Sequence, residues 1–469
     1  MTPPRVFTLR AMGRCVHVRA ERGVPEEFLE RLRASWADCL EPDDAVPDDV
    51  VPDDAEPAGA ESAGAERATR ADAVLRLVGP DLAPADPASA ASADADPAPS
   101  SPEGADAPEP ACLVVGTEST WPGAEQSFTT LVTTTLLGLL VGRVHLLHAA
   151  ALTPPEAAGE GPSSALVLVG PSGRGKTTAS LALARAGWGY LSDETAVIDP
   201  ADRSVAPYPK PLSVIEEAGR PKVQRAVGGM GLAVRHRGAP LGGLVLLHRL
   251  GQEEDPGGPV PRIEPLPLAE GLQALAEQSS GLERMPDGVV QLARLVQDTG
   301  GVRRVLYREA ATLDPVLRGL ARDPEATAVR EPWTRIAEEE GAPRSGREGR
   351  WRRAPETHGI DTEQAALVLR PGHSYVLTRA AADAWLLLEG PGRTATDLRG
   401  ALERRHGPAP DGAVEDILAT LAEEGLLRDP GQSADPAVTN TAAPVSTAPA
   451  AGPRPSAEAP RPVEEEPAP

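Results

Sequence analysis

Apolar and polar positions divide the chain into foldable stretches, separated by stretches with almost no apolar content. Val6 to Arg19 alternates apolar and polar side chains, which predicts two short strands. "VPEEFLERLRASWADCL" follows and spaces Phe28, Leu29, Leu32, Trp36 and Leu40 as one face of a helix. "AVLRLVG" and "ACLVVG" predict further strands, so residues 1–119 read as a small N-terminal α/β unit. Phe128 to Leu140 reads as a buried helix and "RVHLLHAAAL" as a strand. "SALVLVG" is a near-continuous apolar run, as expected of a strand covered on both faces. "KTTASLALARAG" predicts a helix stopped by Gly187. "YLSDETAVI" predicts strand, turn, strand, and "LGGLVLLHRL" another strand. "LAEGLQALAEQ" and "GVVQLARLVQD" predict helices. Strands alternating with helices indicate a layered α/β domain over 120–322.

Residues 323–358 are charged and carry Gly and Pro, and read as a linker. In 359–429 two short strands, "AALVLR" and "SYVLT", suggest a hairpin. Three helices follow: one with Ala381, Ala384, Trp385 and Leu388 on a face, one with Leu398 and Leu402 behind a Thr394 or Thr396 cap, and one with Val414, Ile417, Leu418 and Leu421 closed by Gly425. A strand pair with three helices is a winged-helix-like pattern. A DNA-binding winged helix is disfavoured by acidity of the third helix, which carries Glu415, Asp416, Glu423 and Glu424 and would repel phosphate.

Composition adds three apparently unfolded segments to this outline. Residues 41–70, 80–110 and 430–469 are rich in Ala, Pro and acidic side chains, and lack the apolar content that offsets ordering entropy. The net charge of −23 is concentrated there: 41–110 holds 18 acidic residues against three arginines, and 429–469 holds six against two. The acidity therefore belongs to insertions and a tail. The chain has no basic stripe, so nucleic acid is not expected as a partner. Three cysteines, Cys15, Cys39 and Cys112, form no CxxC pair, so neither a disulfide framework nor a zinc site is indicated. The most apolar run, "LVTTTLLGLLVGRVHLLHAAAL", is too polar to span a membrane, and the N-terminus has no signal-peptide core. A cytoplasmic protein is expected, with no membrane partner.

The chemistry concentrates in residues 166–199. Gly170, Pro171, Ser172, Gly173, Arg174, Gly175, Lys176 and Thr177 satisfy G-x-x-x-x-G-K-[ST], with a predicted strand before and a helix after. Glycines let the backbone curl so that successive N–H groups, including those near Thr178, face one anion at a helix N-terminus. In such a loop Lys176 reaches the β- and γ-phosphates of ATP and Thr177 holds Mg²⁺. Seventeen residues after Lys176 come Asp193 and Glu194. One carboxylate can ligate Mg²⁺ while the other accepts the proton of an attacking hydroxyl, provided a turn brings both to one side. His148, about twenty residues before the loop in "HLLHAAAL", reads by itself as a core histidine.

Taken in order, the "LLHAAAL" strand, the loop, one helix and "GYLSDETAVI" resemble the P-loop domain of HPr kinase/phosphorylase, and in particular the HPr-kinase-like proteins found beside peptide-modifying enzymes. The resemblance covers roughly residues 120–250. It implies a P-loop fold related to phosphoenolpyruvate carboxykinase, Asp193 as general base, Glu194 and Thr177 near Mg²⁺, and His148 close to the phosphates. It allows a homo-oligomer. The family pair is usually Asp-Asp and is Asp-Glu here, and the downstream family signature is replaced by "PYPKPLSVIEEAGRPKVQRAVGG". The family's usual protein substrate and its phosphorolysis are therefore not implied. An ABC ATPase would need an LSGGQ-type signature, which is missing.

The C-terminal unit, through "YVLTRAAADAWLLLEG", "RTATDLRGAL" and "ILATLAEEGLL", resembles PqqD, which binds precursor peptides in ribosomal peptide modification. That resemblance implies a leader peptide added as a strand to the hairpin edge within 360–428. Together the two resemblances imply a kinase that phosphorylates a hydroxyl in ribosomal peptide (RiPP) biosynthesis, with peptide-modifying enzymes as further partners. A nucleotide-gated peptide carrier and a small-molecule kinase are the alternatives.

Overall fold

The computed structural model of the chain describes residues 5–21, 23–41, 71–79, 111–156, 163–171, 175–214, 222–255, 257–338, 349–371 and 373–428. Beyond Glu41, the acidic insertions expected at 41–70 and 80–110 lie outside the described residues, as does the tail. The described chain is a mixed α/β protein with several sheets. Among the described residues, no helix is long and apolar enough to cross a membrane.

The N-terminal alternation forms a hairpin of β1 (Arg5–Ala11) and β2 (Arg14–Ala20), closed over Met12 and Gly13. Helix α1 (Glu26–Ser35) buries Phe28, Leu29 and Leu32 completely. Strands β3 (Ala73–Val78) and β4 (Ala111–Val114) extend the sheet in parallel, in the order β1-β2-β3-β4. Helix α2 (Trp121–Leu140), which the sequence assigned to the central domain, completes this N-terminal core. Its Phe128 meets Trp36 edge-on with ring centroids 5.7 Å apart, and its Trp121 meets Phe28 at 5.7 Å. Aromatic contacts of this kind add about 0.5–1.5 kcal/mol each beyond the burial of their area.

The central body is a nine-stranded mixed sheet. It contains β5 (His145–Leu147), β6 (Ala149–Thr153), β7 (Ala165–Val169), β8 (Gly189–Ser192), β9 (Ala196–Ile198) and β10 (Ser204–Ala206). A separate two-stranded ribbon, β11 (Leu212–Val214) with β12 (Val223–Arg225), stands off it. Three more strands complete the sheet: β13 (Ala239–Arg249), β14 (Arg262–Pro265) and β15 (Val302–Tyr307). Strand β7 sits centrally, parallel to β13 and antiparallel to β6. It is buried on both faces, which explains its unbroken apolar run. Val167 and Val169 share a core with Leu272 of α4 (Leu268–Ala276) and Leu292 of α5 (Gly288–Asp298). Leu166 and Leu168 share another with Leu183 of α3 (Lys176–Arg185) and Leu317 of α6 (Leu313–Arg322). The sheet is thus a layer between two helical layers, the layered α/β arrangement expected.

The stretch read as a linker, 323–358, is partly built into structure. Strand β16 (Trp333–Ile336) pairs with β18 (His358–Thr362), and β17 (Arg352–Arg353) pairs with β21 (Leu427–Arg428). Residues 339–348 lie outside the described residues. The expected hairpin is β19 (Ala365–Arg370) with β20 (His373–Thr378), so the sheet runs β16-β18-β19-β20. The three expected helices are α7 (Arg379–Leu386), α8 (Ala395–His406) and α9 (Ala413–Glu423). In β19, Ala366 and Val368 face these helices, whereas Leu367 and Leu369 join the core of α4 and α5. The C-terminal sheet is therefore covered on both sides, once by its own helices and once by the central body.

Candidate functional site

The loop after β7 begins with Gly170 and Pro171 and re-enters the described chain at Gly175; Ser172, Gly173 and Arg174 lie outside the described residues. Gly175 holds φ at +93°, a left-handed conformation that glycine adopts without strain, and from it α3 starts at Lys176. Lys176 is buried and its Nζ donates to the carbonyl of Gly170 at 2.7 Å and of Pro171 at 3.4 Å. Burial pushes its pKa down, against the pull of Asp193 and Glu194. Thr177 and Thr178 sit exposed on the first turn.

His148 does not lie inside a strand. It occupies the break between β5 and β6, where its N–H donates to the carbonyl of Gln278 at 2.7 Å. The two strands pair with different neighbours, β5 with β9 and β6 with β7 and β8, so the chain must step between them. The step frees the imidazole from strand alternation and places it half-buried at the loop. Its pKa is lowered, first by burial and then by the charge of Lys176.

The acidic pair sits on a turn between β8 and β9. Ser192 Oγ faces the backbone N–H groups of Glu194 at 3.4 Å and Thr195 at 3.3 Å, a local bend that interrupts the alternation of the strands. Both carboxylates consequently line one cavity of ≈ 510 Å³ with His148, Lys176 and Thr177. Asp193 is only 7 % exposed. Its Oδ2 accepts from Thr177 Oγ1 at 3.3 Å, while its Oδ1 is buried without a hydrogen-bond partner among the described residues. Tyr190 lies buried near it, its phenol pKa raised first by burial and then by the charge of Asp193. Glu194 is more exposed and pairs with Lys210 at 3.0 Å.

The sequence reading missed Lys210, Ser213 and Lys222, which form a further wall of the cavity, Lys210 next to Glu194. The available signal was "PYPKPLS", a lysine between prolines, which hold the backbone extended and remove donors. The N-terminal unit grips this wall. Met12 N–H donates to the carbonyl of Pro207 at 2.9 Å, and Cys39 Sγ to that of Pro209 at 3.6 Å. Asp38 Oδ2 accepts from the N–H of Gly228, just beyond β12, at 2.8 Å. From α2, Gln126 Oε1 accepts from Gln224 Nε2 at 2.7 Å, and Thr133 Oγ1 meets the Tyr208 hydroxyl at 2.6 Å.

The donor set suits a hard, oxygen-seeking cation. Among the described residues, no group of three His, Cys, Asp or Glu side chains gathers as an all-protein metal site. Mg²⁺ needs none, because it is held by one or two carboxylates together with substrate phosphates and water. Thr177 and Glu194 offer oxygen ligands of that kind.

No family model matches the chain. No curated protein matches it either. Among solved structures, the HPr(Ser) kinase/phosphatase from Coxiella burnetii is similar over 39% of this chain and 96% of that one, at 15% identity and a TM-score of 0.22. Figures this low transfer no chemistry to this chain, whose site is defined by its own side chains.

Proposed function

We propose that the protein is an ATP-dependent kinase that transfers the γ-phosphoryl group to a hydroxyl. One observation carries the reading: a buried carboxylate, Asp193, is held by Thr177 on the first turn after the phosphate loop and lines the same cavity as Lys176. On this reading Lys176 leaves the loop carbonyls for the β- and γ-phosphates, and Asp193 takes the proton of the attacking hydroxyl. Thr177 and Glu194 hold Mg²⁺, which neutralises charge on the phosphate oxygens when bound. His148, kept neutral by burial and by Lys176, accepts or donates a hydrogen bond at the phosphates without adding charge.

The acceptor is proposed to be a ribosomal precursor peptide captured by residues 360–428. What supports this is that β20 ends its sheet: among the described residues no strand pairs with its outer side. An extended peptide can add there through backbone hydrogen bonds, beside α7. The test is incubation with γ-labelled ATP, Mg²⁺ and the precursor peptides encoded beside the gene, with Asp193→Asn as the paired control. Label on a peptide hydroxyl, lost in the variant while nucleotide still binds, is expected. Peptide binding without label in either protein would instead establish a carrier.

A further inference from the structure

The chain contains three lysines against 43 arginines, and all three, Lys176, Lys210 and Lys222, line the one cavity. Everywhere else a cation is needed, this chain uses arginine. A compact ammonium differs from a guanidinium in having no fixed plane, so it can follow an oxygen through changing geometry. Lys176 belongs to the phosphate loop. The other two stand elsewhere: Lys210 on the proline-bracketed segment and Lys222 immediately before β12, the second strand of the ribbon.

Contacts give the order across the cavity. Thr177, on the loop side, touches Asp193 at 3.3 Å; Glu194, the next residue, touches Lys210 at 3.0 Å. The carboxylates thus stand between the donor loop and the lysine wall. Lys222 is exposed, and no carboxylate pairs with it among the described residues. A hydroxyl brought to Asp193 enters a cavity that Lys210 and Lys222 also line.

We infer that Lys210 and Lys222 form an acceptor-side anion site, so that the group phosphorylated carries a carboxylate or phosphate next to its hydroxyl. This rests on the phosphoryl-transfer reading above and names its acceptor class. It also gives the N-terminal unit a role, because Met12, Asp38 and Cys39 hold the wall on which these lysines stand.

Calorimetric titration tests it on the full chain saturated with Mg²⁺ and a non-hydrolysable ATP analogue. The probes are N-acetylserine, glycerol 3-phosphate and the neutral N-acetylserinamide. At least one anionic probe is expected to bind about tenfold tighter than the neutral one, as charge-assisted hydrogen bonds provide. The two anionic arms decide between carboxylate and phosphate. Lys222→Gln and Lys210→Gln should each remove most of that advantage, and Lys222→Gln should leave affinity for the ATP analogue within about threefold. Equal binding of all three probes would overturn the inference. So would a loss of analogue affinity of about tenfold or more in Lys222→Gln, which would put that lysine on the donor phosphates. Selective anion binding without label transfer from ATP would overturn the kinase reading and keep the anion site.

Discussion

Replacing Lys176 with Met separates what this residue does for folding from what it does for binding. In the nucleotide-free chain its ammonium is buried against two backbone carbonyls, and burial lowers its pKa. The sign follows from linkage. A lysine whose folded-state pKa lies below its unfolded value is a burden on the folded state at every pH below that folded value, and the burden lifts as pH rises through it. Near neutral pH the charged form therefore costs stability, and Met, of similar length and no charge, removes that cost while leaving the Gly170 carbonyl one donor short. The two effects oppose each other, so the melting temperature of the free protein should stay constant or rise by a few degrees. Binding behaves differently. Two charge-assisted hydrogen bonds to phosphate at about 1.5–3 kcal/mol each would be lost. The native lysine must give up its carbonyl contacts to make them, so the lower end of the sum applies, about 3 kcal/mol, or roughly hundredfold in affinity. Fluorescent-nucleotide displacement and thermal scanning of the same preparation measure both. A melting point lowered by ten degrees, or MgATP affinity within threefold of the parent, would refute the reasoning.

Two further outcomes follow from the buried ionisable groups. His145 is 2 % exposed, neither ring nitrogen has a hydrogen-bond partner among the described residues, and burial depresses its pKa to about 4. Its neutral form is favoured in the folded chain, so stability is complete above about pH 6.5 and falls by up to about 3 kcal/mol as pH drops to about 4; urea melts should show His145→Phe losing most of that acid sensitivity. Asp383 is fully buried and answers Arg379, Arg405 at 3.0 Å and His406 at 2.7 Å. Asp383→Ala removes the buried acceptor of this cluster and should cost about 1.5–3 kcal/mol in a denaturant melt, because Arg379 keeps Asp361 and Arg405 is open to solvent; a loss under about 0.5 kcal/mol would mean that the cluster contributes nothing to stability.

The periodic elements were legible in the sequence because each buries a regular stripe. Alternation gave β1 and β2, continuous apolar runs gave β7 and β13, and three-to-four spacing gave α1, α4 and α5. Strand β15, "VRRVLY", was hidden by charge. Its Arg303 is fully buried and donates to the carbonyls of Gly301 and Thr299 and to Thr327, so a cation stands where the pattern asks for an apolar side chain. On the site, the loop motif and the acidic pair announced themselves through local spacing. His148 was misplaced because no composition rule reveals that an apolar run changes sheet partners midway. Lys210 and Lys222 were invisible because their position depends on a grip by the N-terminal unit roughly two hundred residues away in sequence.

The double-sided burial of β19 has a consequence for cooperativity. Cutting the chain before residue 360 would strip Ile360, Leu367 and Leu369 from the outer surfaces of α4 and α5, helices that back the very sheet carrying the phosphate loop. A truncated protein would present that apolar scar to water, so its inactivity would report unfolding or aggregation rather than loss of a recruited peptide. The C-terminal unit and the central body should melt in one transition, and excision is the wrong tool for separating their roles. Point changes along β20, where Ser374 is exposed, are the cleaner probe.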